Sequence, residues 1–230
     1  MIPLRDDNPR RGVPIVTLAL IAANVAVFLY QVSLGPAAEK RLLYSMALIP
    51  AELTRGIDVG APTLHPVWLT LFTSMFLHGS WMHLLGNMLY LWIFGDNIEA
   101  LFGRAKYLLF YLACGIAAML AHVAANPGSM VPALGASGAI AGVLGAYAVK
   151  FPGARVYTLL FIFPFIQTVA LPALILLGFW FVYQVLLGAF SLVPGAGGAG
   201  VAFFAHIGGF IAGMVLASVL APRRWRSVWE

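Results

Sequence analysis

Charge is scarce in this chain. Only 9% of its 230 residues are Asp, Glu, Lys or Arg, against 62% that are hydrophobic, and the mean hydropathy is +0.94. A soluble domain of this size needs far more polar surface to cover its core, which excludes a soluble globular protein. Cysteine is nearly absent: Cys114 stands alone in an apolar run, so there is no internal disulfide and no cysteine metal site. An H-E-x-x-H pattern is also missing, and neither a metal nor a cofactor is expected. Clustered basic charge is lacking too. The formal net charge is +5, but the basic residues are scattered near the ends of apolar segments, which argues against a nucleic-acid partner.

What is present is a series of long apolar runs. They fall at about 13–33, 81–100, 105–125, 136–151, 168–190 and 202–220, and most approach the ~20 residues that cross a ~30 Å hydrocarbon layer. Residues 156–193 are apolar throughout, too long for one helix and barely enough for two. Pro164, Gln167, Thr168 and Pro172 interrupt the first part, so 156–167 reads as an interfacial connection before one span. The first run follows Arg5, Arg10 and Arg11 as a signal peptide would, but five further spans favour an uncleaved helix.

Six spans place both termini on one side of the membrane. That side then carries Arg5, Arg10, Arg11, Arg104, Lys106, Lys150, Arg155, Arg223, Arg224 and Arg226, against Lys40, Arg41 and Arg55 on the other. The bias makes the termini cytoplasmic, as in the cytoplasmic membrane of a bacterium. The expected organisation is a cytoplasmic N-terminal segment (1–12), a transmembrane domain (13–220) and a basic cytoplasmic tail (221–230). A long segment, 34–80, is external and rests on or dips into the outer leaflet through residues such as Trp68. The glycine-rich loop "PGAGGAG" (194–200) is external as well.

Spans two, four and six run from outside to inside, and each carries unusual polar residues near its start: His83 and Asn87, then Ser137, then His206. Three helices thus hold polar groups at similar depth, where such groups face a bundle interior or a wet cavity. From Ser137 to the Lys150–Pro152 stop the fourth span rises only ~22 Å, so its top sits ~8 Å below the outer boundary and leaves a depression. Gly138, Gly142 and Ala146 on the fourth span, and Ala205, Gly209 and Gly213 on the sixth, recur four apart. Such ridges let two helices approach closely and bring Ser137 within reach of His206. Taken singly, Ser137 reads as a packing residue, His206 as an interhelical bond and Asn87 as interhelical glue. His78 and His122 read as structural or interfacial, and His65 as solvent-facing. Their shared depth favours a site.

"GASGAIAG" (135–142), "AHIGGFIAG" (205–213) and "HGSWMHLLGN" (78–87) together resemble the rhomboid family of intramembrane serine proteases. The likeness runs from about residue 68 to 217. It implies an all-α membrane fold, a six-transmembrane-helix bundle with a long external loop between helices 1 and 2 and an outward-opening wet cavity. It also implies that Ser137 is the nucleophile and His206 the general base. His83, Asn87 and the backbone N–H of Ser137 would bind the oxyanion, and Glu99 would be structural. The implied substrates are single-span membrane proteins, cut near their outer end within the lipid bilayer and admitted between spans two and five, beside Phe179, Trp180, Phe181 and Tyr183. Two positions depart from the family pattern. Leu69 in "VWLTLF" stands where arginine is expected, and Ala141 stands where some members pack a tyrosine on the histidine. All eight acidic residues, Asp6, Asp7, Glu39, Glu52, Asp58, Asp96, Glu99 and Glu230, lie outside spans three to six, so the site reads as a Ser–His dyad. A transporter using buried histidines would want acidic partners along a path across the membrane, and a silent binding relative would be expected to lack the serine or the histidine.

Overall fold

Prolines and glycines punctuate the chain where its elements begin and end. In the computed structural model, which describes residues 1–9, 12–60, 62, 66–162, 165–192 and 202–221, strand β1 (Ile2–Asp6) precedes helix α1 (Ile15–Ser33). Two further helices follow, α2 (Pro36–Met46) and α3 (Pro50–Arg55), each starting with a proline that is pre-set for a first turn. A single helical turn, α4 (Thr70–Thr73), is flanked by 3-10 turns at Val67–Leu69 and Ser74–Phe76. Helix α5 (Trp81–Phe102) starts at Ser80, whose hydroxyl accepts from the His83 N–H at 3.2 Å. It stops at Gly103, where φ is +76°, and α6 (Arg104–Ala125) begins at the next residue. Helix α7 (Ser137–Lys150) comes next, then strands β2 (Arg155–Ile162) and β3 (Phe165–Pro172), and finally helices α8 (Ala173–Ser191) and α9 (Phe203–Leu220).

The chain is mostly helical but not all-α. The connection expected at 156–167 is a hairpin, and β1 joins it to make an antiparallel sheet in the order β1-β2-β3. Ile2 pairs with Leu159 and Asp6 with Val156, while Arg155 pairs with Pro172 and Ile162 with Phe165. The physical reason is legible in "RVYTLLFI" and "FIQTVALP": β-branched and aromatic residues favour strands, and pairing satisfies a backbone that Pro164 keeps from being one helix. The fifth apolar helix accordingly starts at Ala173, later than the expected 168. Pro164, His65, Arg10, Arg11, the 194–200 loop and the tail with Arg223, Arg224 and Arg226 lie outside the described residues.

Among the described residues four helices, α1, α6, α8 and α9, are long and apolar enough to cross a membrane. Helix α7 has 14 residues, and α5, although 22 residues long, carries His83, Asn87, Asp96, Asn97 and Glu99. Helix α7 is the axis of the bundle: every residue from Gly138 to Ala148 is buried, with α5, α6, α8 and α9 around it. Small residues allow this. A Cβ at Gly209 would fall on the Gly138 carbonyl, and one at Gly213 on the Gly142 carbonyl. Both ridges read from the sequence therefore meet backbone to backbone. Glu99 proves structural, since its carboxylate accepts from the Val16 and Thr17 N–H groups and the Thr17 hydroxyl at 2.8–3.0 Å. It satisfies donors that the first turn of α1 would leave orphaned.

The ends of the bundle are tied differently. At one end Asp6 of β1 accepts from Tyr147 of α7 at 2.5 Å and from Asn97 of α5 at 2.8 Å. Burial raises the Asp6 carboxyl above the usual range, against the pull of these donors. At the other end Leu48 and Ala133 exchange backbone hydrogen bonds, and the Gly135 N–H donates to the Ser74 carbonyl at 2.8 Å.

Candidate active site

The loop before α7 sets the position of Ser137. With Ala133 pinned to Leu48 and Gly135 to Ser74, the chain turns at Gly135 with φ of +117°, a region L side chains rarely occupy. Ser137 then opens the helix. As the first helical residue, its N–H lacks an intrahelical acceptor and points out of the helix start, where the macrodipole favours negative charge.

His206, in the first turn of α9, places Nε2 2.8 Å from the Ser137 hydroxyl oxygen. This is the contact the glycine ridges were expected to produce. The other ring nitrogen, Nδ1, lies 2.8 Å from Oε1 of Gln184, a buried side chain of α8. Trp180, one turn earlier on α8, has its ring 5.8 Å from the His206 ring at an interplanar angle of 40°. An aromatic thus lies beside the histidine although Ala141 is too small to supply one. Ala141 is fully buried and lines the floor of the cavity. Gln184 was not anticipated from sequence. Its signal was there, a lone amide in the otherwise apolar run of α8, one turn after Trp180.

His83 and Asn87 come to the same place. Both line a cavity of about 520 Å³ together with Ser137, His206, Trp180 and Tyr90. The His83 ring lies under the Gly135 backbone, close enough that a Cβ there would sit 2.7 Å from its Cε1. Asn87 is 8% exposed and sends its Nδ2 to Nε2 of His78 at 3.0 Å. Nδ2 is a donor, so Nε2 of His78 accepts and one amide hydrogen of Asn87 remains for the cavity. Burial pulls His78 down to about 4, which keeps its ring neutral near pH 7 and fit to accept. The His78 backbone is held in turn by Gln31 of α1, which donates to its carbonyl at 3.0 Å and accepts from its N–H at 3.1 Å. His78, expected to be structural or interfacial, is buried and in direct contact with Asn87.

Other expectations divide. His122, on α6, is half-buried and absent from the cavity lining. Of the aromatic residues on α8, Phe179 and Tyr183 are exposed and Trp180 faces the cavity. Leu69 sits in the 3-10 turn next to the exposed Trp68. Among the described residues no cluster of three or more His, Cys, Asp or Glu is placed to hold a metal, and no carboxylate lines the cavity. Chemically, the arrangement offers a hydroxyl with a base on it, facing two side-chain donors and a helix N-terminus across an apolar-walled space.

Residues 65–223 match the Rhomboid domain family. The chain is 34% identical over 151 residues to Rhomboid protein 1, mitochondrial, of Saccharomyces cerevisiae, covering 64% of this chain and 39% of that protein. It is 33% identical over 138 residues to Rhomboid protease GluP of Bacillus subtilis, covering 60% of this chain and 25% of that protein. With RHOMBOID-like protein 1 of Arabidopsis thaliana the identity is 30% over 211 residues, 86% of this chain and 46% of that protein. The chain thus spans less than half the length of these curated relatives.

Proposed function

The chain belongs to the rhomboid family of integral membrane proteins, and from that premise we propose that it is an intramembrane serine endopeptidase working through Ser137 and His206. The observation that carries this reading is the 2.8 Å contact between the Ser137 hydroxyl and His206 Nε2 inside a cavity that also holds His83 and Asn87. A hydroxyl is a weak nucleophile until a base takes its proton. His206 accepts that proton as Ser137 Oγ attacks the scissile carbonyl, then returns it to the leaving amine. The developing oxyanion is met by the Ser137 N–H, His83 and the free amide hydrogen of Asn87, each donor being worth about 3 kcal/mol in comparable sites. No cofactor or metal enters these steps.

The substrates are single-span membrane proteins, unwound and cut near their outer end. An intact helix keeps its carbonyls in internal hydrogen bonds, so residues that weaken helices are expected around the cut. Access from lipid runs between α5 and α8. These helices are not extensively packed on each other, whereas α8 rests on α9 and α7.

The reading takes six crossings, and the pairing of segments at the two ends of the bundle supports it. The sheet joins residues 2–6 to 155–172, so the two lie at the same end of the bundle. The Leu48–Ala133 and Gly135–Ser74 bonds join the 34–80 and 126–136 segments at the other. With those two ends on opposite sides of a membrane, α1, α5, α6 and α7 would cross in turn, and α8 and α9 would make six. The sheet end carries Arg5, Arg104, Lys106, Lys150 and Arg155, which supports a cytoplasmic placement in a bacterial cytoplasmic membrane.

The test uses purified protein and a single-span substrate in detergent or liposomes. Ser137→Ala and His206→Ala are expected to lower kcat at least about a thousandfold, and a fluorophosphonate should label Ser137 in the unsubstituted chain only. Cleavage that survives Ser137→Ala, or an unlabelled serine, rejects the reading.

A further inference from the structure

We propose that Gln184 is the positioning residue of this active site: its side-chain oxygen accepts the Nδ1–H of His206, which holds the imidazole in the tautomer whose Nε2 is free to take the proton of Ser137. The inference rests on the protease reading of the same site and adds a third member to it.

The chemistry follows from what each atom can do. Oε1 of a carboxamide carries no hydrogen, so at 2.8 Å the proton of that bond belongs to Nδ1. A neutral imidazole has one N–H, so Nε2 keeps a bare lone pair, and its 2.8 Å partner Ser137 is the donor. The opposite tautomer would put a hydrogen on Nε2, turn Ser137 into an acceptor and leave no base on the hydroxyl. Two bonds of equal length on opposite ring nitrogens also stop the ring from turning. Trp180, one turn from Gln184 on the same helix, lies close to the ring.

A carboxylate commonly fills this role, and among the described residues no carboxylate lines this cavity. Gln184 is 6% exposed and comes from a helix apolar enough to cross a membrane. An ionised carboxylate buried there would be costly in both resting and folding states. A carboxamide supplies the same acceptor without a buried charge. It stabilises a protonated histidine less than a carboxylate would, so its contribution is orientation more than charge.

Gln184→Leu keeps the volume and removes the acceptor, while Gln184→Glu keeps an acceptor at the same reach. With a single-span substrate, Gln184→Leu is expected to lower kcat about ten- to a hundredfold with KM within about twofold, and to slow fluorophosphonate labelling of Ser137 by the same factor. Gln184→Glu should recover most of both, because a carboxyl buried there stays neutral and its carbonyl oxygen still accepts. In 15N-histidine NMR spectra, His206 should hold its proton on Nδ1 in the unsubstituted chain and distribute it over both nitrogens in Gln184→Leu. Unchanged kcat and labelling in Gln184→Leu, an unchanged tautomer, or an activity loss that only follows loss of folded protein and is not rescued by Gln184→Glu overturns the role. If the unsubstituted chain neither cleaves nor labels, the protease reading fails, and the NMR signature alone decides whether Gln184 sets the tautomer.

Discussion

Two residues before Ser137 the backbone takes a φ of +117°, and the space where a side chain would start is already filled by the His83 ring, with Cε1 2.7 Å and Nε2 2.8 Å from an ideal Cβ. Gly135 therefore serves two ends, the turn that opens α7 and the close approach of backbone to a proposed oxyanion donor. Gly135→Ala should strain the backbone by about 1–3 kcal/mol and push His83 aside. The expected result is a kcat lower by about tenfold or more, with a modest fall in melting temperature and KM little changed; full activity would detach this glycine from the site. Residues of this kind were legible in the sequence because a motif marks them, and Ser137, His206, His83 and Asn87 line one cavity. Gln184 was not. It acts through a contact between two helices, with 22 residues of chain between Gln184 and His206, and no local pattern encodes such a pairing.

Among the elements, α7 and α9 form the closest pair, and the Ser137–His206 contact depends on it. A methyl at Gly209 would meet the carbonyl of Gly138, the residue directly after Ser137. Gly209→Ala should therefore force the helices apart, costing about 1–3 kcal/mol and loosening the hydroxyl–imidazole bond. Gly178→Ala on α8 is the control, since a Cβ there meets nothing within 4 Å; it should leave activity alone and add slightly to helix stability. Thermal melts and cleavage rates on the two variants check both expectations, and equal behaviour would show that the ridge is not what holds the site together. Helix positions were readable because apolar runs end at charge, Gly or Pro: α5, α6, α7 and α9 begin within about a residue of expectation. The hairpin was not readable. Its apolar residues occupy both faces of the strands, so the alternation that marks a strand is missing, and its third partner lies some 150 residues away at the N-terminus.

At the scale of the molecule, the short α7 and the two tied ends together bear on where the proposed chemistry would happen. From Ser137 to Lys150 the helix rises only ~21 Å, less than a ~30 Å hydrocarbon layer. If Lys150 and the sheet mark the cytoplasmic boundary, the serine lies below the outer one, reached by water through the cavity and by a substrate from the side. This geometry requires Arg41, exposed on α2, and Arg155, exposed on β2, to lie on opposite sides of the membrane. Cys114 is fully buried in α6 against Gly142 and gives little background, so Arg41→Cys and Arg155→Cys are clean reporters. On intact cells expressing the protein, a membrane-impermeant maleimide should modify the Arg41→Cys variant at once and the Arg155→Cys variant only after permeabilisation. Modification of both without permeabilisation would break the parity of crossings. The reverse order would keep six spans but turn the molecule over, placing the cavity of Ser137 on the cytoplasmic side.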